Sequence, residues 1–84
     1  MNSKHRKTLN AIFKKPTLAT VAFSDLEALL VAAGCTMTEG KGSRVRFDKG
    51  GLAFLAHRPH PGNEAKRYQV EQAREFLAEL EITP

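Results

Sequence analysis

The side chains best suited to chemistry lie within residues 40–64, GKGSRVRFDKGGLAFLAHRPHPGNE. Apolar residues alternate there with basic and imidazole groups, which, apart from the turn residue Lys49, are Lys41, Arg44, Arg46, His57, Arg58 and His60. A guanidinium stays charged at neutral pH and can hold a phosphate through two hydrogen bonds, whereas an imidazole can both accept and release a proton. These residue types indicate contact with an anion, with histidine available for acid–base catalysis.

The three histidines differ in what their positions allow. His60, in RPHPG, lies in an irregular loop between an arginine and a glutamate, where it suits proton transfer or a phosphate contact. His57 ends an apolar strand, so a partly buried ring that bonds to nearby backbone is the structural alternative to a catalytic role. His5 belongs to a basic helix and is interpreted as a solvated surface residue. His60 and His57 are therefore the candidate catalytic residues.

Other kinds of site lack the residues they need. Cys35, His57, His60 and Glu64 do not have the paired CxxC or HxxxH spacing of zinc ligands. No GxxxxGKS/T or GxGxxG motif is present to bind nucleotide phosphates, and the glycine pairs are better explained as turns. Cys35 follows a helix C-terminus, where a thiolate is disfavoured, and is interpreted as a core residue. The sequence predicts no metal and no cofactor.

The length and composition indicate one small globular domain, residues 1–84. No apolar run approaches the roughly 18 residues of a transmembrane helix, and the basic N-terminus lacks the apolar core of a signal peptide. The single cysteine, Cys35, agrees with a reducing compartment, so we expect a cytoplasmic protein with no membrane partner.

The net charge of +4 is spread unevenly along the chain. Residues 1–67 hold twelve lysines and arginines against five acidic residues, a net of +7, whereas residues 68–84 carry −3. A basic body with an acidic final helix indicates an anionic partner such as nucleic acid. Solubility alone is the simpler alternative for a charge of this size.

The first and last helices are predicted from apolar periodicity. Residues 3–15 have one apolar stripe, with Ser3 as the N-cap and Pro16 as the stop. The last helix is expected to begin between Lys66 and Gln69 and to bury a stripe that ends near Leu80.

The middle helix, residues 25–33, has the clearest local signals. Ser24 and Glu27 have the spacing of a capping box, in which each side chain accepts from the other residue's backbone amide. Gly34 is placed for the left-handed turn that ends many helices.

Three strands are predicted between the last two helices. Residues 35–39 form the first and 43–47 the second, and residues 48–51, Asp-Lys-Gly-Gly, form a hairpin turn. Residues 52–57 form the third strand, an almost continuous apolar run expected to lie against a helix before Pro59 ends it.

The second strand has two distinct faces. Val45 and Phe47 alternate with Arg44 and Arg46, so the apolar pair is predicted to face the core and the arginines to face solvent. The whole chain is then an α+β domain of order α-α-β-β-β-α, a three-stranded antiparallel sheet packed against helices.

Residues 24–80 resemble the HicA family of toxin–antitoxin toxins. The resemblance rests on the helix DLEALLVAAG, the strand opening EGKGSRVRF, the loop HRPHPGNE and the amphipathic last helix, taken in order. It implies a fold like that of double-stranded-RNA-binding domains, metal-independent cleavage of mRNA, and neutralisation by a partner antitoxin of HicB type. The branch that it most resembles has an N-terminal helical extension, here residues 1–16, before a core of residues 21–84.

One departure from the family pattern concerns catalysis. Family members typically carry histidine directly after Gly-Ser on the second strand, and that histidine is thought essential for RNA cleavage. Here Gly42-Ser43 is followed by Arg44, while the later family loop survives as residues 60–64, HPGNE. Arg44 can bind a phosphate and stabilise developing charge, but it cannot act as a base at neutral pH.

Three hypotheses follow from these observations. In a toxin-like ribonuclease, His60 is base or acid in attack of a ribose 2′-hydroxyl on its phosphate, with help from His57 or Glu64. The second hypothesis is a catalytically silent module of the same fold that binds RNA, antitoxin or both. The third is a structural partner domain whose sheet edge or basic face docks an acidic protein. The residues expected to bind RNA are Lys41, Ser43, Arg44, Arg46, Arg58 and Lys66.

Overall fold

The computed structural model describes residues 1–84 and contains three helices and three strands joined by loops. Their bounds are α1 Ser3–Ile12, α2 Phe23–Ala32, β1 Thr36–Glu39, β2 Arg44–Lys49, β3 Leu52–His57 and α3 Arg67–Glu79. The strands form one antiparallel sheet in the order β1-β2-β3. The predicted α+β fold and the order α-α-β-β-β-α are confirmed.

A two-residue turn joins β2 to β3. Gly50 and Gly51 have φ of +58° and +79°, a conformation that costs little only for glycine. Lys49 pairs with Leu52 directly before and after them. The hairpin predicted at residues 48–51 forms, but its turn is limited to the two glycines, because a glycine pair with both φ positive matches the twist of the flanking strands and lets them pair up to the turn.

The inner face of the sheet supplies the core. Val45 and Phe47 of β2 are buried, as predicted, and so are Phe54 and Ala56 of β3. The Phe47 and Phe54 rings stack with centroids 6.0 Å apart, and the Phe54 ring lies 5.9 Å from that of Phe76 on α3. The alternation of side chains along each strand therefore fixes which face the helices cover.

The other face of the sheet is uncovered, and we call it the outer sheet face. It consists of the alternate residues of the three strands, which are Thr36, Thr38, Arg44, Arg46, Asp48, Ala53, Leu55 and His57. Leu55 is 64% exposed. The expectation that β3 lies against a helix is confirmed for its inward residues Phe54 and Ala56, but Leu55 faces solvent, because only every second residue of a strand can face one layer.

The capping box predicted for α2 does not form. The helix begins at Phe23, so Ser24 lies within its first turn, and Ala22 is the N-cap without a side-chain hydrogen bond. The Phe23 amide instead donates to the Asn63 carbonyl oxygen at 2.8 Å. Tertiary pairing with the loop after β3 thus replaces the local cap.

The end of α2 agrees with the prediction. Gly34 has φ of +99° and its amide donates to the Val31 carbonyl oxygen, while the Cys35 amide donates to that of Leu30, each at 3.0 Å. These two bonds form the Schellman arrangement that ends a helix at glycine.

The N-terminal helix α1 joins the same core. Its Leu9 and Ile12 are 4% and 0% exposed. Asn2 rather than Ser3 is the N-cap, since its Oδ1 accepts from the His5 amide at 2.8 Å. The helix ends at Ile12, shorter than predicted, because Pro16 has no amide hydrogen to donate to the Ile12 carbonyl oxygen. That oxygen accepts from a side chain of α3 instead.

That side chain is Arg74, which fastens α1 to α3. Its Nε donates to the Ile12 carbonyl oxygen at 2.9 Å. Its Nη2 donates to the Lys14 carbonyl oxygen at 3.0 Å and to Thr17 Oγ1 at 2.9 Å. The forked guanidinium thus satisfies carbonyl groups that a helix end leaves without partners.

The last helix begins at Arg67, inside the predicted window, and its apolar stripe is buried from Val70 to Leu77, whereas Leu80 follows the helix and is half-buried. One polar side chain, Gln69, is buried with it at 2% exposure. No helix in the chain combines the length and the apolar character that crossing a membrane requires.

Candidate active site on the outer sheet face

Arg44 and His57 face each other across β2 and β3 on the outer sheet face. The Arg58 amide donates to the Ser43 carbonyl oxygen at 2.9 Å, one residue beyond the pair, so Arg44 and His57 occupy a non-hydrogen-bonded position of the ladder. Such positions bring the two side chains closest together, with Cβ atoms roughly 4.5–5.5 Å apart. The sheet therefore places a guanidinium and an imidazole side by side, both in solvent.

Gln69 binds the backbone of His57 on the side of β3 that faces away from β2. At a non-hydrogen-bonded position the amide and carbonyl of β3 point away from β2, toward the edge of the sheet. Gln69 Oε1 accepts from the His57 amide at 2.9 Å, and Gln69 Nε2 donates to the His57 carbonyl oxygen at 3.1 Å. One buried side chain thus occupies both backbone groups of the histidine.

A shallow hollow of about 390 Å³ lies around the pair. Its lining residues come from all three strands and are Thr38, Glu39, Gly40, Arg44, Val45, Arg46, Leu55, Ala56 and His57. Leu55 supplies an exposed apolar surface between basic groups. The hollow thus has a cationic side at Arg44 and an apolar side at Leu55.

The two arginines of β2 differ in their charge environment. Arg46 Nε donates to both carboxylate oxygens of Asp48, at 3.0 and 2.9 Å. This hydrogen-bonded pairing lowers the pKa of Asp48 and raises that of Arg46. No carboxylate lies within ion-pair distance of Arg44. Arg44 is therefore the cation of this face that is free to bind an outside anion.

Arg58 is occupied within the protein. It forms an ion pair with Glu27 of α2 at 2.9 Å and a second with Glu39 at the end of β1. Glu39 and then Glu27 raise the pKa of its guanidinium through these hydrogen bonds. Arg58 thereby fastens the start of the HRPHPGNE loop to a helix and a strand, which also explains why Glu27 does not cap its own helix.

His60 lies in that loop, exposed, and makes no side-chain hydrogen bond. The loop is held before it by Arg58 and after it by two backbone bonds, from Phe23 to Asn63 and from Ala65 to Val21. His60 does not line the hollow beside Arg44. Of the two candidate histidines, the structure therefore places His57, and not His60, directly against the arginine.

The other predicted site residues do not line the hollow. Lys41 and Ser43 are exposed in the turn between β1 and β2, and Lys66 is exposed just before α3. Glu64 is exposed and forms an isolated bridge with Ala22. None of the four contacts His57 through a hydrogen bond or ion pair.

Cys35 lies in the core, and the candidate metal-ligand side chains do not cluster. Cys35 is 7% exposed, and burial raises the pKa of its thiol, in agreement with its interpretation as a core residue. No three side chains among histidine, cysteine, aspartate and glutamate lie together as a metal ion would need.

The pairing of Arg44 with His57 and the role of Gln69 were missed by sequence reasoning, although signals for both exist. A two-residue turn at Gly50-Gly51 fixes the strand register, and counting back from it puts residue 44 opposite residue 57. Gln69 precedes the apolar stripe of α3 and shares its helical face with Ala73 and Phe76, four and seven residues on. A polar residue on a buried helical face indicates that its side chain has a hydrogen-bond partner inside the protein.

A comparison with protein-family models matches most of the chain. The family model of the HicA toxin of bacterial toxin-antitoxin matches residues 23–81, from the first residue of α2 to just beyond α3. Neither the curated proteins nor the solved structures provide a match. Helix α1 and the linker after it lie outside the matched region.

Proposed function

Because the chain belongs to the HicA toxin family of bacterial toxin–antitoxin systems, we propose that it is a metal-independent ribonuclease that cleaves mRNA in the cytoplasm. Its neutralising partner is then an antitoxin of HicB type. The observation that carries the proposal is the exposed pair of Arg44 and His57 on a sheet face that no helix covers.

The chemistry is attack of a ribose 2′-hydroxyl on the adjacent phosphate. Arg44 holds the phosphate and balances the charge that builds on its oxygens. One imidazole, of His57 or His60, takes the proton of the 2′-hydroxyl as the new O2′–P bond forms. The other gives a proton to the 5′-oxygen as the P–O5′ bond breaks, which leaves a 2′,3′-cyclic phosphate and a 5′-hydroxyl.

His57 supplies the imidazole that family members carry on β2. Positions 44 and 57 are neighbours on one face, so a base on β3 reaches the same space as a base on β2. The guanidinium at position 44 then adds an anion contact beside it. This exchange accounts for a histidine missing from its family position in a chain that keeps the rest of the pattern.

The test is cleavage of RNA by purified protein in the presence of a metal chelator. We expect His57→Ala and Arg44→Ala each to lower the rate at least about a hundredfold, the usual contribution of a general base or a key transition-state contact. His60→Ala should lower it too if it is the second proton-transfer group. His5→Ala, on α1, is the matched control. Undiminished cleavage by His57→Ala and His60→Ala would reject the assignment.

A silent binding module is the second candidate, and the guanidinium at position 44 is the observation that favours it. It predicts no cleavage by the wild-type protein but salt-sensitive binding of RNA, antitoxin or both. Induced expression separates the two, since only the ribonuclease should arrest growth through His57.

A further inference from the structure

We propose that Gln69 is a positioning residue for His57, the side chain that sets the location of the imidazole relative to Arg44. The inference deepens the proposed function and rests on it for its consequence in catalysis. It does not depend on that function for its geometry, which is a property of the folded chain.

The edge of the sheet creates the need for such a residue. β3 is an outer strand, and its end at His57 has an amide and a carbonyl that no fourth strand can bind. If the amide and carbonyl of His57 bonded only to water, the end of the strand could shift with the loop that follows it. The imidazole is attached at this last paired residue of the strand, so its position depends on how firmly the end is held.

Gln69 meets the need because its amide is both donor and acceptor. Oε1 and Nε2 bond to the two backbone groups of a single residue, at 2.9 and 3.1 Å, as another strand would. At 2% exposure, the side chain is shielded from competing water. Its own backbone lies in the first turn of α3, directly before the fully buried Val70.

Shape and polarity together make glutamine specific at this position. Asparagine is one methylene shorter and cannot span both groups from the same backbone position. Leucine has nearly the same volume but offers neither a donor nor an acceptor, so both backbone groups of His57 lose their partners.

The experiment compares Gln69→Asn and Gln69→Leu with Gln72→Leu, a matched change at an exposed position on the same helix. Nuclear magnetic resonance measures the Overhauser effect between the His57 ring and the Arg44 side chain. Cleavage kinetics are measured at a temperature where each variant is folded. We expect both Gln69 variants to weaken the Overhauser effect and to lower kcat about tenfold or more with KM changed less than twofold, since small misplacements of catalytic groups act on rate. Gln72→Leu should match the wild type.

Each outcome decides a different point. Folded Gln69 variants with a wild-type Overhauser effect and kcat would overturn the inference, and so would failure of both variants to fold, because the residue would then serve the fold as a whole. A weakened Overhauser effect in a protein that never cleaves RNA would uphold the positioning role and reject the proposed ribonuclease.

Discussion

Arg46 forms a hydrogen-bonded ion pair with Asp48, two residues along the same strand, while Arg44 on the same face has no acidic partner. The two arginines share a face but differ in availability. On the proposed function, this difference predicts unequal roles in RNA binding.

Replacing Arg44 by glutamine should reduce the salt dependence of RNA binding more than the same change at Arg46. Loss of one phosphate contact lowers the magnitude of the log–log salt slope by about 0.7 for single-stranded RNA. We expect most of that change for Arg44→Gln and a clearly smaller one for Arg46→Gln. Fluorescence anisotropy with a 2′-O-methyl RNA, which cannot be cleaved, gives the slopes. Equal slopes for the two variants would contradict the prediction.

Replacing Asp48 by asparagine should strengthen RNA binding at low salt. The change removes a negative charge from the outer sheet face and frees Arg46. The gain should disappear near 1 M salt, where the Debye length falls to about 3 Å. Asp25→Asn, which also removes an aspartate that pairs with an exposed lysine, is the control.

The same ion pair depends on pH. Because Arg46 lowers the pKa of Asp48, the pair stabilises the fold at pH values above the ordinary aspartate pKa, and this stabilisation is lost as the pH falls through the lowered pKa.

Histidine introduced at position 44 should rescue the loss of His57. If positions 44 and 57 reach the same substrate atoms, Arg44→His with His57→Ala should cleave RNA faster than His57→Ala alone, by about tenfold or more. Arg44→Gln in the same His57→Ala background shows what loss of the guanidinium does by itself. No gain from the new histidine would mean that the two strand positions serve different steps.

Glu27 should stabilise the fold more than Glu39, although both pair with Arg58. Glu39 is the first cause of the raised Arg58 pKa, but its side chain is 64% exposed against 25% for Glu27, so water screens it more. We expect Glu27→Gln to cost about 1 kcal/mol, a fall of roughly 4–8 °C in Tm, and Glu39→Gln about half or less. Thermal unfolding at 0.15 M salt measures both. A larger loss from Glu39→Gln would reverse the ranking.

Lysine in place of Arg74 should loosen α1 while the sheet stays intact. A lysine cannot reproduce the forked bonds to Ile12, Lys14 and Thr17. Amide exchange in α1 should quicken about tenfold, which corresponds to a loss of about 1.4 kcal/mol, with β2 protection unchanged. Glu79→Gln, at an exposed position on α3, should leave both regions as they are.

Local rules predicted much of the fold because they act within a few residues. The alternation of Val45 and Phe47 with the arginines gave the correct faces of β2, and Gly34 gave the end of α2. The start of α2 was mispredicted because distant partners determine it: the Phe23 amide donates to the Asn63 carbonyl oxygen, and the Glu27 carboxylate pairs with Arg58. A local cap stabilises a helix by about 1 kcal/mol, which tertiary contacts readily exceed.

The candidate site was predictable in its residue types but not in its arrangement. The sequence stretch that holds Arg44, His57 and His60 was identified, but the emphasis fell on His60. Its irregular loop has no periodicity from which a position can be calculated. The turn at Gly50-Gly51 does fix the partner of Arg44, and only an assumed four-residue turn concealed it.

Gln69 and Arg74 lie one and a half turns apart on α3, and each holds a different part of the chain. The first holds the end of β3, and the second holds the end of α1. Opening of this one helix from the core would therefore release both the N-terminal extension and the strand that carries His57, whereas loss of a single anchor loosens only the part that it holds. A protease or a partner that pulls α3 away would switch off the site without touching it.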